Sequence, residues 1–257
     1  MFQLSVCADT VFLDLTIAQR IEAIISAGFS VELWIWQDRD LEALVKDWQF
    51  EITSLPGATR GSIVHPDGVQ EFMDSARETL EVAKRLGCRN FGLVTGEIGP
   101  DGKSAHLIAE HPATLWITAY RSLCQLAEWA EKYNVTYNLE ALNVKVDHGG
   151  YPLTRVEDVV RLIEQVGSPR IRALLDVYHV QIQEGNVTQV IRDHWNSVGY
   201  VHVADVPGRH EPGTGEINYP KVVATLKELG YQGIVGLEAF PEGDDRKALD
   251  RFRKIFS

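Results

Sequence analysis

Short apolar runs of strand type alternate with amphipathic segments of helix type from one end of the chain to the other, and eight such pairs fit into its 257 residues. Strands are predicted at Leu4–Cys7, Ser30–Ile35, Phe50–Leu55, Asn90–Val94, Val135–Glu140, Ile171–Asp176, Val198–His202 and Ile234–Glu238. Helices are predicted at Ile17–Ala27, Leu41–Asp47, Val69–Leu86, Ala113–Tyr133, Val156–Val166, Val187–His194, Tyr219–Leu229 and Asp244–Phe256. The first helix shows the spacing that defines one buried face, with Ile17, Ile21, Ile24 and Ile25 recurring at helical period. Gly28 and Gly87 then stop the first and third helices, as glycine does just past a C-terminus. No Gly/Ser-rich linker, charge block or change of composition divides the chain, so residues 1–257 are expected to form one domain. Eight strand–helix units in about 250 residues is the rhythm of a (β/α)8 TIM barrel, an α/β fold. The competing doubly wound sheet announces itself by a glycine-rich turn after the first strand, and none follows Cys7.

Composition excludes several partners. With 45% hydrophobic residues the chain can bury a large core. It has no apolar run of about 18 residues, so no membrane span is expected. The first residues lack a basic segment leading into an apolar stretch, so no secretory signal is expected either. Cys7, Cys88 and Cys124 are three in number and widely spaced, which suits reduced thiols in a cytoplasmic protein. A net charge of -11 opposes a nucleic-acid partner, because phosphate binding needs a clustered basic face.

The last four strands carry the chemistry. They end in Glu140, Asp176, His202 and Glu238. In a barrel of parallel strands those C-terminal ends converge on one face, where active sites of this fold lie. A carboxylate at the end of a buried strand is costly unless it is paired or holds a cation. Three carboxylates and one imidazole together form an oxygen-rich set for a divalent ion: Mg²⁺, Mn²⁺ or Co²⁺, with Zn²⁺ also in range. The thiolates of a structural zinc site are missing from the set. Among other candidates, Trp34 and Trp36 follow the second strand on one face and can wall a substrate pocket or pack in the core. Lys145 and His148 lie just past Glu140 on a loop, either clamping a substrate carboxylate over the site or facing solvent. Gly213-Thr214-Gly215 lacks the lysine of a phosphate loop and reads as the turn before a helix capped by Asn218. His65, His106, His111 and His194 have no partner spacing and read as surface residues.

These residues carry a resemblance. The segment Ala204-Asp205-Val206-Pro207-Gly208-Arg209-His210-Glu211-Pro212-Gly213-Thr214-Gly215-Glu216-Ile217-Asn218-Tyr219 resembles a signature of the hydroxypyruvate isomerase family within the xylose isomerase-like TIM barrels. Asp176-Val177-Tyr178-His179, Glu184-Gly185, Gly236-Leu237-Glu238 and the turn at Leu55-Pro56-Gly57 fit the same family. The resemblance covers essentially the whole chain. It implies Glu140, Asp176, His202 and Glu238 as metal ligands, with Glu140 and Glu238 also flanking the substrate as acid/base carboxylates. It implies contacts from His179 and Arg209 to substrate oxygens, and it implies a homo-oligomer. Two departures stand out: His202 falls where hydroxypyruvate isomerases commonly carry Gln, and Glu140 is followed by Ala141 rather than Pro. His202 resembles instead the ketose 3-epimerases, which share the metal frame.

Such a site suits an α-hydroxy carbonyl substrate. A bound divalent ion acts as a Lewis acid and makes the neighbouring C–H acidic enough for a carboxylate to take its proton. The product is a cis-enediolate that Arg209 can help stabilise. Reprotonation at the adjacent carbon gives isomerisation, as between hydroxypyruvate and tartronate semialdehyde. Reprotonation at the other face of the same carbon gives epimerisation, and two glutamates permit both outcomes. A metal-dependent nuclease on this barrel would need further His and Glu ligands at the early strand ends, where Cys7, Trp34, Ser54 and Thr95 are predicted. The isomerase is therefore the leading expectation and the ketose 3-epimerase the alternative.

Overall fold

In the closed ring of strands that organises the fold, each strand pairs in parallel with its sequence neighbour and the last pairs with the first. A computed structural model describes residues 2–105 and 109–257. The strands are β1 (Gln3–Cys7), β2 (Ser30–Glu32), β3 (Ile52–Pro56), β4 (Asn90–Leu93), β5 (Thr136–Glu140), β6 (Ile171–Asp176), β7 (Val198–Val203) and β8 (Ile234–Leu237). Around them run α1 (Ile17–Ser26), α2 (Leu41–Trp48), α3 (Val69–Leu86), α4 (Pro112–Tyr133), α5 (Val156–Val166), α6 (Val177–Gln183), α7 (Val187–His194), α8 (Tyr219–Glu228) and α9 (Asp245–Phe256). This is the TIM barrel that the alternation predicts.

Local sequence accounts for the helix ends. Thr16 caps α1, its hydroxyl accepting from Gln19 N while the Gln19 side chain returns a bond to the Thr16 backbone, so two otherwise orphaned N–H groups are satisfied. Gly167 ends α5 at φ 72°, a left-handed position that a side chain would strain. Between these ends α5 buries Val156, Val159, Val160, Leu162 and Ile163 against the barrel, its first-turn Glu157 and Asp158 standing at the positive end of the helix dipole. Asn218 caps α8 through Lys221 N, as read from the sequence.

Several element ends differ from expectation by one or two residues, and two differences are larger. β2 stops at Glu32 rather than Ile35: Leu33 N still bonds Ser54 O on β3, but Trp34 N is taken by the Asp9 carboxylate at 2.8 Å, which turns the chain out of the sheet. Between β6 and β7 there are two helices instead of one, since Asp176 caps α6 by accepting from Tyr178 N at 2.8 Å. His106 lies outside the described residues. Cys7, Cys88 and Cys124 are free thiols. Among the described residues no helix is long and apolar enough to cross a membrane.

The barrel interior holds a polar chain. Ser5 Oγ lies 2.6 Å from Thr53 Oγ1, which lies 3.2 Å from the Tyr200 hydroxyl, and that hydroxyl donates to Glu32 Oε2 at 2.6 Å. All four residues are buried. The chain leads from the barrel centre toward the C-terminal strand ends.

Candidate active site

Strand register brings the expected residues side by side. Asp176 on β6 pairs with His202 on β7, and His202 pairs with Gly236 on β8, two residues before Glu238. Glu140 closes β5 one strand further round. Glu140, Asp176, His202 and Glu238 are all buried, and one ligand-type atom from each lies within 4.8 Å of all the others. Burying three carboxylates this close is unfavourable without positive charge among them. Arg209 supplies some of it: its guanidinium bonds Glu238 Oε2 and reaches Asp176 Oδ2 at 3.4 Å, while stacking over Tyr178 at 5.0 Å.

The four residues titrate very differently. Burial, and then the negative charge of Glu238, push the Glu140 carboxyl well above the ordinary range. Burial lifts Asp176 to about 6 against the pull of Arg209. Burial acts the same way on Glu238, but His202 and Arg209 outweigh it and hold this carboxyl well below the ordinary range. For His202, burial opposes the charge while Glu32 and Glu238 raise the imidazole well above its usual value. His179 is driven well below the usual value by burial and by Arg209.

The donor set suits a cation. Glu140 Oε1 and both ring nitrogens of His202 are buried without a hydrogen-bond partner among the described residues. Orphaned polar atoms of this kind are costly inside a protein unless a bound group satisfies them. His202 Nδ1 sits 3.4 Å from Glu238 Oε2, and Nε2 sits 2.9 Å from Glu32 Oε1, yet neither contact completes a hydrogen bond.

Other expected residues fall as follows. His179, on α6, points Nε2 at Asp176 Oδ2 (3.6 Å) and Glu140 Oε1 (3.9 Å). Trp34 is partly exposed at the rim, stacks edge-on to Phe240, and its indole N–H donates to Glu238 Oε1. Trp36 parts from it and bonds Thr79 Oγ1 at 3.0 Å. Lys145 lies apart from the four clustered residues, its ammonium donating to Gln183 O at 2.9 Å. His148 is half-buried with Nδ1 2.6 Å from Gly102 O. His65 and His111 cap the starts of a short 3₁₀ turn and of α4.

Glu32 and Asn143 are absent from the sequence reading. Glu32 lies inside the run Val31 to Ile35, which reads as one strand, although an acidic residue among Val, Leu, Trp and Ile is itself a signal. Gly236 makes room for it: a Cβ there would lie 2.8 Å from Glu32 Oε2 and 2.9 Å from His202 Cδ2. Asn143 follows Glu140 by three residues and is fully buried on a loop, which only the fold reveals.

Known proteins share this architecture. A family profile described as "Xylose isomerase-like TIM barrel" matches residues 22–255. Hydroxypyruvate isomerase of Escherichia coli is 28% identical over 253 residues, covering 94% of this chain and 95% of that protein. A 2-oxo-tetronate isomerase of Cupriavidus necator is 31% identical over 190 residues, covering 74% of this chain and 70% of that one. A crystal structure described as an AP endonuclease, family 2, from Brucella melitensis superposes with a TM-score of 0.90 at 26% identity, covering 99% of each chain. The chain therefore belongs to the xylose isomerase-like TIM barrels and, within them, to the hydroxypyruvate isomerase family.

Proposed function

We propose that this protein is a metal-dependent isomerase of a small α-hydroxy carbonyl acid, interconverting ketone and aldehyde forms of the hydroxypyruvate–tartronate semialdehyde type. The observation that carries the reading is the buried quartet Glu140, Asp176, His202 and Glu238, whose ligand-type atoms lie within 4.8 Å of one another. Their oxygen-rich character suits Mg²⁺, Mn²⁺ or Co²⁺. Bound by these four side chains, such an ion would supply Lewis-acid polarisation of a carbonyl oxygen.

The remaining work falls to the chain itself. Glu140 and Glu238 come from opposite ends of the four-strand arc, β5 and the end of β8, so a substrate between them meets a carboxyl on each side. One removes the proton from the hydroxyl-bearing carbon, and a carboxyl then returns a proton to its neighbour, a type of assistance worth roughly 10²–10⁴-fold per group. Arg209 lies close enough to place its guanidinium against the negative charge of a cis-enediolate. His179 offers a neutral N–H from the α6 side. Trp34, half in solvent, orients Glu238 through its indole N–H and covers the rim, keeping water from the exchanging proton. Lys145, on the loop that follows β5, is the candidate partner for a substrate carboxylate, which its ammonium would meet by leaving Gln183 O.

The isomerase names of both relatives favour a short acid substrate, hydroxypyruvate or 2-oxo-tetronate. The nuclease reading is opposed by the net charge of -11 and, among the described residues, by strands β1 to β4 that end in Cys7, Glu32, Pro56 and Leu93 with no imidazole among these four. The deciding experiment takes metal-free protein reloaded with Mg²⁺, Mn²⁺ or Co²⁺ and incubates it in D₂O with hydroxypyruvate, 2-oxo-tetronate, D-fructose or D-tagatose. Deuterium entering at C3 of hydroxypyruvate, with tartronate semialdehyde forming, supports the proposal. Exchange at C3 of a ketose, with its epimer forming, replaces it by a ketose 3-epimerase. Failure to bind any of the metals would overturn the site assignment.

A further inference from the structure

We infer that Asn143 is a positioning residue that fixes the tautomer of His179, leaving Nδ1 bare and setting an Nε2–H donor toward Glu140 and Asp176. Nothing in the isomerase reading requires Asn143; the inference comes from where each of its atoms is bound. Asn143 Oδ1 accepts from two backbone groups, Val146 N and Asp147 N, both at 3.1 Å. The amide nitrogen is thereby turned the other way. Nδ2 donates to Asp147 Oδ2 at 2.7 Å and meets His179 Nδ1 at 2.7 Å. Exchanging O and N would set the amide oxygen against a carboxylate and the NH₂ against two N–H groups, so four contacts fix one orientation.

An amide nitrogen can only donate, so His179 Nδ1 must accept. The backbone N–H of Asn143 points at the same atom from 3.5 Å and adds a second donor. A neutral imidazole accepting at Nδ1 carries its proton on Nε2. That nitrogen lies 3.6 Å from Asp176 Oδ2 and 3.9 Å from Glu140 Oε1, on the edge of the quartet. His179 is thus a preset hydrogen-bond donor for a substrate oxygen and not a metal ligand. In the nearby grouping of Asp147, His148 and His179, whose ligand-type atoms also lie within 4.8 Å, Asn143 Nδ2 links Asp147 to His179 while His148 Nδ1 meets Gly102 O. The catalytic consequence rests on the isomerase reading, whereas the tautomer does not.

The test is ¹⁵N NMR of Mg²⁺-saturated protein labelled at histidine, the His179 signals being assigned by their loss in His179→Gln. Nδ1 is expected at an imine-type shift and Nε2 at a protonated one. A proton on Nδ1, or on both nitrogens at neutral pH, would overturn the inference whatever the enzyme does to its substrate. Asn143→Asp keeps the backbone acceptor but presents an oxygen to Nδ1, and should draw a proton there. kcat should then fall about 10²–10³-fold, the size of losing one preset donor to a developing oxyanion, with a smaller change in KM. Asp147→Asn added to Asn143→Asp removes the clash of two carboxylates without restoring a donor to His179. The double variant should keep the altered ¹⁵N shifts and the low kcat. Recovery of both would mean that the loss came from charge repulsion, and would refute the positioning role.

Discussion

Gly236 is the point where a single methyl group should report on the whole site. Its place on β8 faces the pair formed by Glu32 and His202, and a Cβ there would stand 2.8 Å from Glu32 Oε2, 2.9 Å from His202 Cδ2 and 3.1 Å from Tyr200 Cε1. Comfortable contacts between such atoms need about 3.5–4.0 Å, so each neighbour must retreat by about half an ångström or more. None is free to do so: Glu32, Tyr200 and His202 are all buried, and the carboxylate is tied to the Tyr200 hydroxyl. Overpacking of a tight interior costs about 1–3 kcal/mol. Replacing glycine at an ordinary φ returns about 0.4–1 kcal/mol by restricting the unfolded chain. Taking the middle of each range, the net expectation for Gly236→Ala is about 1.3 kcal/mol of destabilisation, or a Tm lower by about 3–5 °C. Mn²⁺ affinity should fall as well, since the displaced ring is that of His202. Urea unfolding and calorimetric titration with Mn²⁺ measure the two effects. Gly243→Ala, with nothing within 4 Å of the new methyl, is the control and should gain about 0.4–1 kcal/mol with the parent's Mn²⁺ affinity. A Gly236→Ala protein with the parent's midpoint and the parent's Mn²⁺ affinity would refute the packing argument.

Three further outcomes are expected. Glu140→Gln and Glu238→Gln should each lower kcat by about 10²–10⁴-fold while the circular dichroism spectrum stays unchanged; an active variant of either would remove that residue from the proton transfer. Tyr200→Phe should destabilise the protein by about 1–3 kcal/mol in thermal melts, because Glu32 Oε2 loses its donor in the dry interior, and an unchanged melt would show the bond to be dispensable. Metal uptake should weaken as pH falls through about 6, where Asp176 takes a proton, and strengthen as pH rises through it. One competing proton gives about a tenfold loss per pH unit, and the raised Glu140 and His202 add to that slope. A metal affinity flat between pH 5 and 8 would contradict these shifts.

The barrel and its chemical face were legible because both depend on short-range patterns. An apolar run ending in Glu140, Asp176 or His202 and bounded by helix signals states its own register and direction. The rest depends on partners far off in the chain. β2 was read three residues too long because Leu33, Trp34 and Ile35 suit a strand; what turns them out is the carboxylate of Asp9, 25 residues earlier. That overrun concealed Glu32, whose neighbour Tyr200 lies 168 residues away. α6 was missed because Val177, Val180 and Ile182 are poor helix formers, and its cap, Asp176, had been read only as a ligand. Asn143 gave no signal, since its meaning comes from contact with a histidine 36 residues further on.

Ring closure has a consequence for how such a protein comes into being. Glu140, Asp176 and His202 sit on consecutive strands and can meet as soon as β5 to β7 assemble, but Glu238 arrives only with β8, which must also find β1. Glu32, beside His202, is contributed from the far side of that same seam. A growing polypeptide therefore holds most of the proposed ligands well before it holds all of them, and the complete set exists only in the finished circle. An ion favouring the complete set would act as a clasp, stabilising closed molecules over open ones by mass action. Chelation should accordingly loosen the junction between the first and last strands before it loosens the arc between them, an order that hydrogen exchange reads residue by residue.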